Sequence, residues 1–350
     1  MAYRGLLDDV RRAVALERPR RLPVFACSEE FDVKWYGRYC YEEVCQDGRK
    51  MAEVWAAAIE EFDYDWAWLQ VDDCFELEPL GVVTHGEGNI LRATRGYLPA
   101  TWQTLRDLRM PDPHRDGRMP EKLKALTLLR ERFDDTVLVV GSCAAPYSAV
   151  GLLFGLEAAM LLGLTEPDLL ADACNFFVEL QARYIAAQVE AGAHAIWLGD
   201  CNAFSGMLSL EQYRRFAWPS CQALVERAHA AGALVHLHNS EIAVPYLLAE
   251  CDLGVDIVNC GPAADLPQVA AALRGKRCFS GNLDPIEVLM RGTPEQVTQH
   301  VERIVAVGYA QGGFLFNTGE MNPRDVPAEN MRAMVQAVRR VGERTSQEQV

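Results

Sequence analysis

The stretch Ala233-Leu234-Val235-His236-Leu237-His238-Asn239 alternates aliphatic residues with histidines. That two-residue period is the mark of a β-strand, whose successive side chains point to opposite faces. His236 and His238 therefore share a face at the end of one strand. Two neutral imidazoles so placed suit a metal ion, although hydrogen-bonded core histidines would read the same way. The run is also the fifth of eight short apolar segments. The others are residues 21–27, 66–72, 136–143, 193–200, 255–260, 277–284 and 312–318.

Between these segments lie stretches with helical spacing, at 48–62, 121–133, 149–192 (broken near 163–166), 210–231, 293–307 and 327–342. Near-continuous apolar strands joined by helical crossovers imply parallel pairing with helices outside. Eight such units in 350 residues predict a closed (β/α)8 TIM barrel. We expect a single domain spanning residues 1–350, with an N-terminal extension. Glycines among β-branched residues over 80–102 predict a hairpin insertion after strand two. An open doubly wound sheet is the competing architecture, but no GxGxxG opens a helix after strand one. Ser209 with Gln212, and Thr293 with Gln296, read as helix N-caps, and Pro219 should break its helix.

Half of the residues are hydrophobic and 24% are charged, a normal balance for a globular core. The formal net charge of −15 argues against nucleic acid and anionic membranes as partners. Eleven cysteines, irregularly spaced and without a CxxC pair, are expected as reduced thiols in a cytoplasmic protein. No apolar run is long enough for a bilayer; residues 144–164 come nearest but are interrupted by Pro146 and three glycines.

In a (β/α)8 barrel the active face lies at the carboxyl ends of the strands. There the sequence places Asp72 and Asp73, Asp200 and Cys201, His236, His238 and Asn239, Cys260, Asn282, Asp284, Asn317 and Glu320. A catalytic zinc needs three protein ligands and an open position. The two histidines supply two; Glu320, Asp200, Cys201 and Cys260 are candidates for the third. His194, His85, His114, His229 and His300 read as structural or surface residues.

Four segments carry a family resemblance: Gly141-Ser-Cys-Ala-Ala-Pro-Tyr147, Gln188 to Ile196, Gly281-Asn-Leu-Asp-Pro285, and Asn317-Thr-Gly-Glu-Met-Asn-Pro323 with Pro327-Ala-Glu-Asn330. On these the chain resembles the uroporphyrinogen decarboxylase superfamily, which includes zinc-dependent, corrinoid-linked methyltransferases. The resemblance implies the same (β/α)8 barrel. The substrate-gripping arginines of the decarboxylases are absent: the region after strand one reads Ala26-Cys-Ser-Glu-Glu-Phe-Asp32. Their catalytic aspartate matches Asp72. Their serine after strand four is Cys201, the tyrosine falls on Leu152 and the C-terminal histidine on Glu320.

The methyltransferase branch carries His-x-Cys on strand five and a cysteine after strand eight as zinc ligands, and these positions match His236, His238 and Glu320. The resemblance thus selects Glu320 as the third ligand. Imidazole and carboxylate are harder ligands than thiolate, so this set suits an oxygen substrate. The expectation is a zinc-dependent methyltransferase moving a methyl group between a small O-methyl donor and a corrinoid protein. Asp72 and Glu320 would be catalytic, with Asp200, Cys201, Asn239 and Asn317 as substrate contacts or ligand supports. No Asp-x-His-x-x-Gly motif is present, so the corrinoid must come on another chain. Decarboxylation of a small acid, or zinc-dependent hydrolysis or elimination, are the rivals. A homodimer is expected from the resemblance alone.

Overall fold

The computed structural model describes residues 3–347. Seven strands form one parallel sheet in the order β1 (Trp66–Trp68), β4 (Leu138–Ala144), β5 (Ala195–Gly199), β6 (Leu234–His238), β7 (Ile257–Asn259), β8 (Cys278–Leu283) and β9 (Phe314–Thr318). The remaining strands, β2 (Val83–Glu87) and β3 (Ile90–Gly96), form an antiparallel hairpin of their own after β1. Helices cross between successive strands of the large sheet, which is what parallel pairing demands.

The expected first strand is much reduced. Only Val24 makes a bridge, to Phe316. Pro23 has no N–H to donate, and it joins the sheet through its carbonyl, which accepts from Phe316 N–H at 3.2 Å. Even so, the segment reaches both ends of the sheet. Phe25 N–H donates to Phe316 O at 2.8 Å, and Asp65 N–H donates to Val24 O at 2.9 Å. The sheet is therefore curled, with residues 23–25 spanning the gap between β9 and β1.

Register fixes what faces the interior. Trp197 pairs with His236, His236 with Ile257, and Ile257 with Cys278. Phe25, Trp66, Trp68, Leu138, Val140, Ala195, Trp197, Ile257, Cys278 and Leu315 make one buried cluster inside the curl. The alternate residues face the helices. Val139, Ile196, Leu198, Val235, Leu237, Val258 and Phe279 belong to a second, larger cluster. Toward the carboxyl ends of the strands the inward positions turn polar: His236, His238, Asn259, Ser280 and Asn317 are all buried.

Two helix boundaries follow from local chemistry. The apolar stretch after β4 splits into Pro146–Phe154 and Leu156–Thr165, bent by 111°. Gly155 sits at the bend with φ +89°, where a side chain would be strained. Among the described residues no single helix is long and apolar enough to cross a membrane. Ser209 and Thr293 both form capping boxes with a glutamine three residues on. The helix expected over 210–231 is interrupted: a π-helical turn at Tyr213–Ala217 precedes Trp218–Ala230, with Pro219 in its first turn. The proline has no N–H for the preceding turn, so the ladder widens there.

Candidate active site

β6 delivers its two histidines to the inside of the curl, as the alternation requires. His238 is fully buried, and its Nε2 lies 2.8 Å from Glu320 Oε1. Glu320 follows β9. Burial works to raise its pKa, but the hydrogen bond and charge of His238 outweigh that, so the carboxyl is held below its usual range. An ionised Glu320 accepts, which makes His238 Nε2 the protonated nitrogen. His238 Nδ1 is buried and has no hydrogen-bond partner. The other Glu320 oxygen accepts from Ser240 Oγ, and the Met321 N–H donates to Oε1 at 3.2 Å. Ser240 has φ +58°, an uncommon backbone for serine. That conformation turns its hydroxyl back onto Glu320.

His236 faces the same interior but makes a different contact. Its Nε2 lies 2.8 Å from Ser280 Oγ, and Ser280 Oγ donates to Asn259 Oδ1 at 3.3 Å. Asn259 Nδ2 donates in turn to the Gly319 carbonyl at 3.0 Å. The chain of donors makes His236 the Nε2–H tautomer. Burial first, and the charge of His238 second, lower its pKa to about 3, so the ring is neutral.

The structure thus brings His238 and Glu320 together, while His236 is turned onto Ser280. Among the described residues no three His, Cys, Asp or Glu side chains are grouped so as to hold a metal ion. The donor chemistry nonetheless fits one. Each ring has its Nε2 engaged by an oxygen, an arrangement that orients the other ring nitrogen. The orphaned Nδ1 of His238 is a buried polar atom lacking the partner that such atoms ordinarily have.

A cavity of about 340 Å³ opens beside this pair. Trp197, whose ring lies tilted against His238 with centres 4.9 Å apart, lines it, as do Met321 and Cys201. The hairpin β2–β3 supplies its outer wall through Leu91, Arg92, Ala93 and Thr94, with Tyr97 just beyond. Glu29, Asp72 and Asp73 border it as well. Asp73 is open to the cavity yet enclosed by protein. This enclosure, with Glu76 and Asp72 nearby, pushes its pKa up to about 6. Glu29 is 3% exposed and its Oε2 has no hydrogen-bond partner. Burial, aided by neighbouring carboxylates, holds its pKa well above the usual range.

Several expected site residues have other work. Asp72 was expected to orient substrate or act as acid and base. Its two oxygens instead accept from Arg118 Nη1 and Nη2 at 2.8 and 2.9 Å, and Oδ1 also caps Cys74 N–H. Asn239, expected to orient the ligands, donates to Glu250 Oε1 at 2.6 Å. Asn317 contacts Cys27 Sγ. Asp200 lies behind the cavity wall, where Ser148 Oγ donates to it at 2.7 Å. Burial pushes its pKa to about 7. Asn282 donates to three carbonyls of the 261–264 loop, and Asp284 caps the Ile286 and Glu287 amides. His194 accepts from Val139 N–H at the far end of β5. All eleven cysteines are free thiols.

Sequence reasoning places Asp73 on the active face without giving it a role, and it does not propose Glu29 or Trp197 as site residues. The Glu29-Glu30 pair lies in the segment after residue 27 where the arginines of the decarboxylases are absent. Its first glutamate proves to be a wall of the cavity.

Comparison with known proteins agrees with this architecture. A methyltransferase from Methanosarcina mazei superposes over 96% of this chain and 98% of its own, with a TM-score of 0.86 and 21% identity. A methylated-thiol–coenzyme M methyltransferase of Methanosarcina mazei is 28% identical over 297 residues, covering 83% of this chain and 77% of the relative. The uroporphyrinogen decarboxylase of Koribacter versatilis is 25% identical over 311 residues, 86% of this chain and 85% of the relative. The model of the uroporphyrinogen decarboxylase (URO-D) family matches residues 7–341, and on that match the chain belongs to this family.

Proposed function

We propose that this protein is a methyltransferase that moves a methyl group between a small O-methyl donor and a corrinoid protein, with zinc as its cofactor. The pairing of buried His238 with half-buried Glu320 beside a cavity carries the reading. The similarity to a methyltransferase over most of both chains supports it. His236, His238 and Glu320 would hold the ion, which when bound would polarise the oxygen that leaves the methyl group.

The chain's own residues prepare that chemistry. Ser280 orients the His236 ring, and His238 and Glu320 hold each other in place. Ser240 and the Met321 amide fix the carboxylate. Trp197 and the hairpin wall exclude water from the donor's apolar part. Decarboxylation of a polyacid fits the cavity poorly. Its one bordering basic residue, Arg92, is already engaged by Glu42 and Glu78.

The test is methyl transfer from a methoxylated small molecule to a reduced corrinoid protein, by metal-free enzyme with and without added zinc. Transfer should require both zinc and the corrinoid protein. Equal rates without zinc, or turnover with no corrinoid protein, would overturn the reading.

A further inference from the structure

The charges around the cavity do not balance. Arg118 neutralises Asp72 and also reaches Glu78. Arg92 is held by Glu42, Glu78 and Thr84. Lys122, a buried ammonium in the same region, donates to Ser142 Oγ at 2.9 Å. Asp73 takes a hydrogen bond from the neutral Gln70 amide, and Glu29 keeps one oxygen bonded to nothing. Two carboxyl groups on the cavity wall are thus left without a cation. Glu29 is buried, where an uncompensated carboxylate is costly, and Asp73 opens to the cavity, so a positively charged guest would meet both and remove that cost.

The other walls suit such a guest. Trp197 and Tyr97 border the space, and aromatic rings attract organic cations. The volume of about 340 Å³ is that of a small-molecule chamber. No third metal donor is grouped with Glu29 and Asp73 among the described residues.

We propose that this cavity is a subsite for a small organic cation, an ammonium-bearing substrate, held between the Glu29 and Asp73 carboxylates against Trp197 and Tyr97. The inference deepens the proposed function and rests on reading the cavity as the substrate chamber. It assigns the donor a positive charge and disfavours anionic donors of equal size.

Calorimetric titration of the full-length protein tests it, with choline as the probe. The control is choline's uncharged isostere, in which a tert-butyl group replaces the trimethylammonium. Choline should bind about tenfold or more tightly than the isostere. Glu29→Gln and Asp73→Asn should each remove most of that preference while leaving isostere binding unchanged, with thermal midpoints confirming that both variants fold. Equal affinities, no binding of either probe, or preference retained in both variants would overturn the proposal. No methyl acceptor is present, so a failure of methyl transfer would leave this result standing, and the reverse.

Discussion

Replacing Asp200 with asparagine should make the protein's stability depend on pH in a calculable way. Asp200 is fully buried, Oδ2 has no partner, and burial raises its pKa from 3.8 to about 7. A raised folded-state pKa means that the native protein holds this proton more tightly than the unfolded chain does. The carboxyl therefore costs nothing below about pH 4, costs progressively more as pH rises, and reaches its full penalty above about pH 7. The full shift of about three units corresponds to roughly 4 kcal/mol. Between about pH 5 and pH 8.5, linkage gives a change of about 2–3 kcal/mol.

Asparagine does not titrate, so Asp200→Asn removes that slope. Its amide leaves an N–H where Oδ2 stood, a pH-independent cost of about 1–3 kcal/mol. At pH 5 the variant should melt at or below the wild type. By pH 8.5 the difference should move in the variant's favour by about 3–4 °C for a chain of this size. Thermal midpoints of both proteins across that range decide it. A gap that stays constant with pH would refute the argument that Asp200 is held protonated by its surroundings.

Arg118→Met should leave the Asp72 carboxylate buried without its partner and destabilise the protein by about 3–5 kcal/mol, read as a lower unfolding midpoint in denaturant. Ser280→Ala should strip His236 Nε2–H of its acceptor and weaken zinc binding about 10- to 100-fold in a competition titration with a chelator, with little change in secondary structure by circular dichroism.

Much of the frame was legible because strands and helices write their periods into the sequence. The alternation in residues 233–239 placed both imidazoles inside, and the apolar runs marked the strand order. Segment 21–27 reads as a strand but makes a single bridge, because pairing depends on neighbours that the segment does not encode. Glu320 was selected by resemblance, since only the fold brings position 320 to position 238. Asp72 and Asp73 look equivalent in sequence. What separates them is Arg118, 46 residues away at the start of a helix, which claims the first and leaves the second in the cavity. Charge pairing over such distances has no local pattern to read.

The hairpin wall has an evolutionary consequence. Residues 83–96 form strand pairs only with each other, and they are tied to neighbouring helices and loops rather than to the main sheet: Arg92 and Thr84 to Glu78, Arg92 and Gly88 to Glu42, and Asn89 to Tyr41 and Arg324. A segment whose anchors lie outside the main sheet can be lengthened, shortened or exchanged without redrawing that sheet's hydrogen bonds. Selection could therefore retune which molecules enter while the histidines stay where β6 puts them, and grafting this ribbon between relatives offers the same freedom to an experimenter.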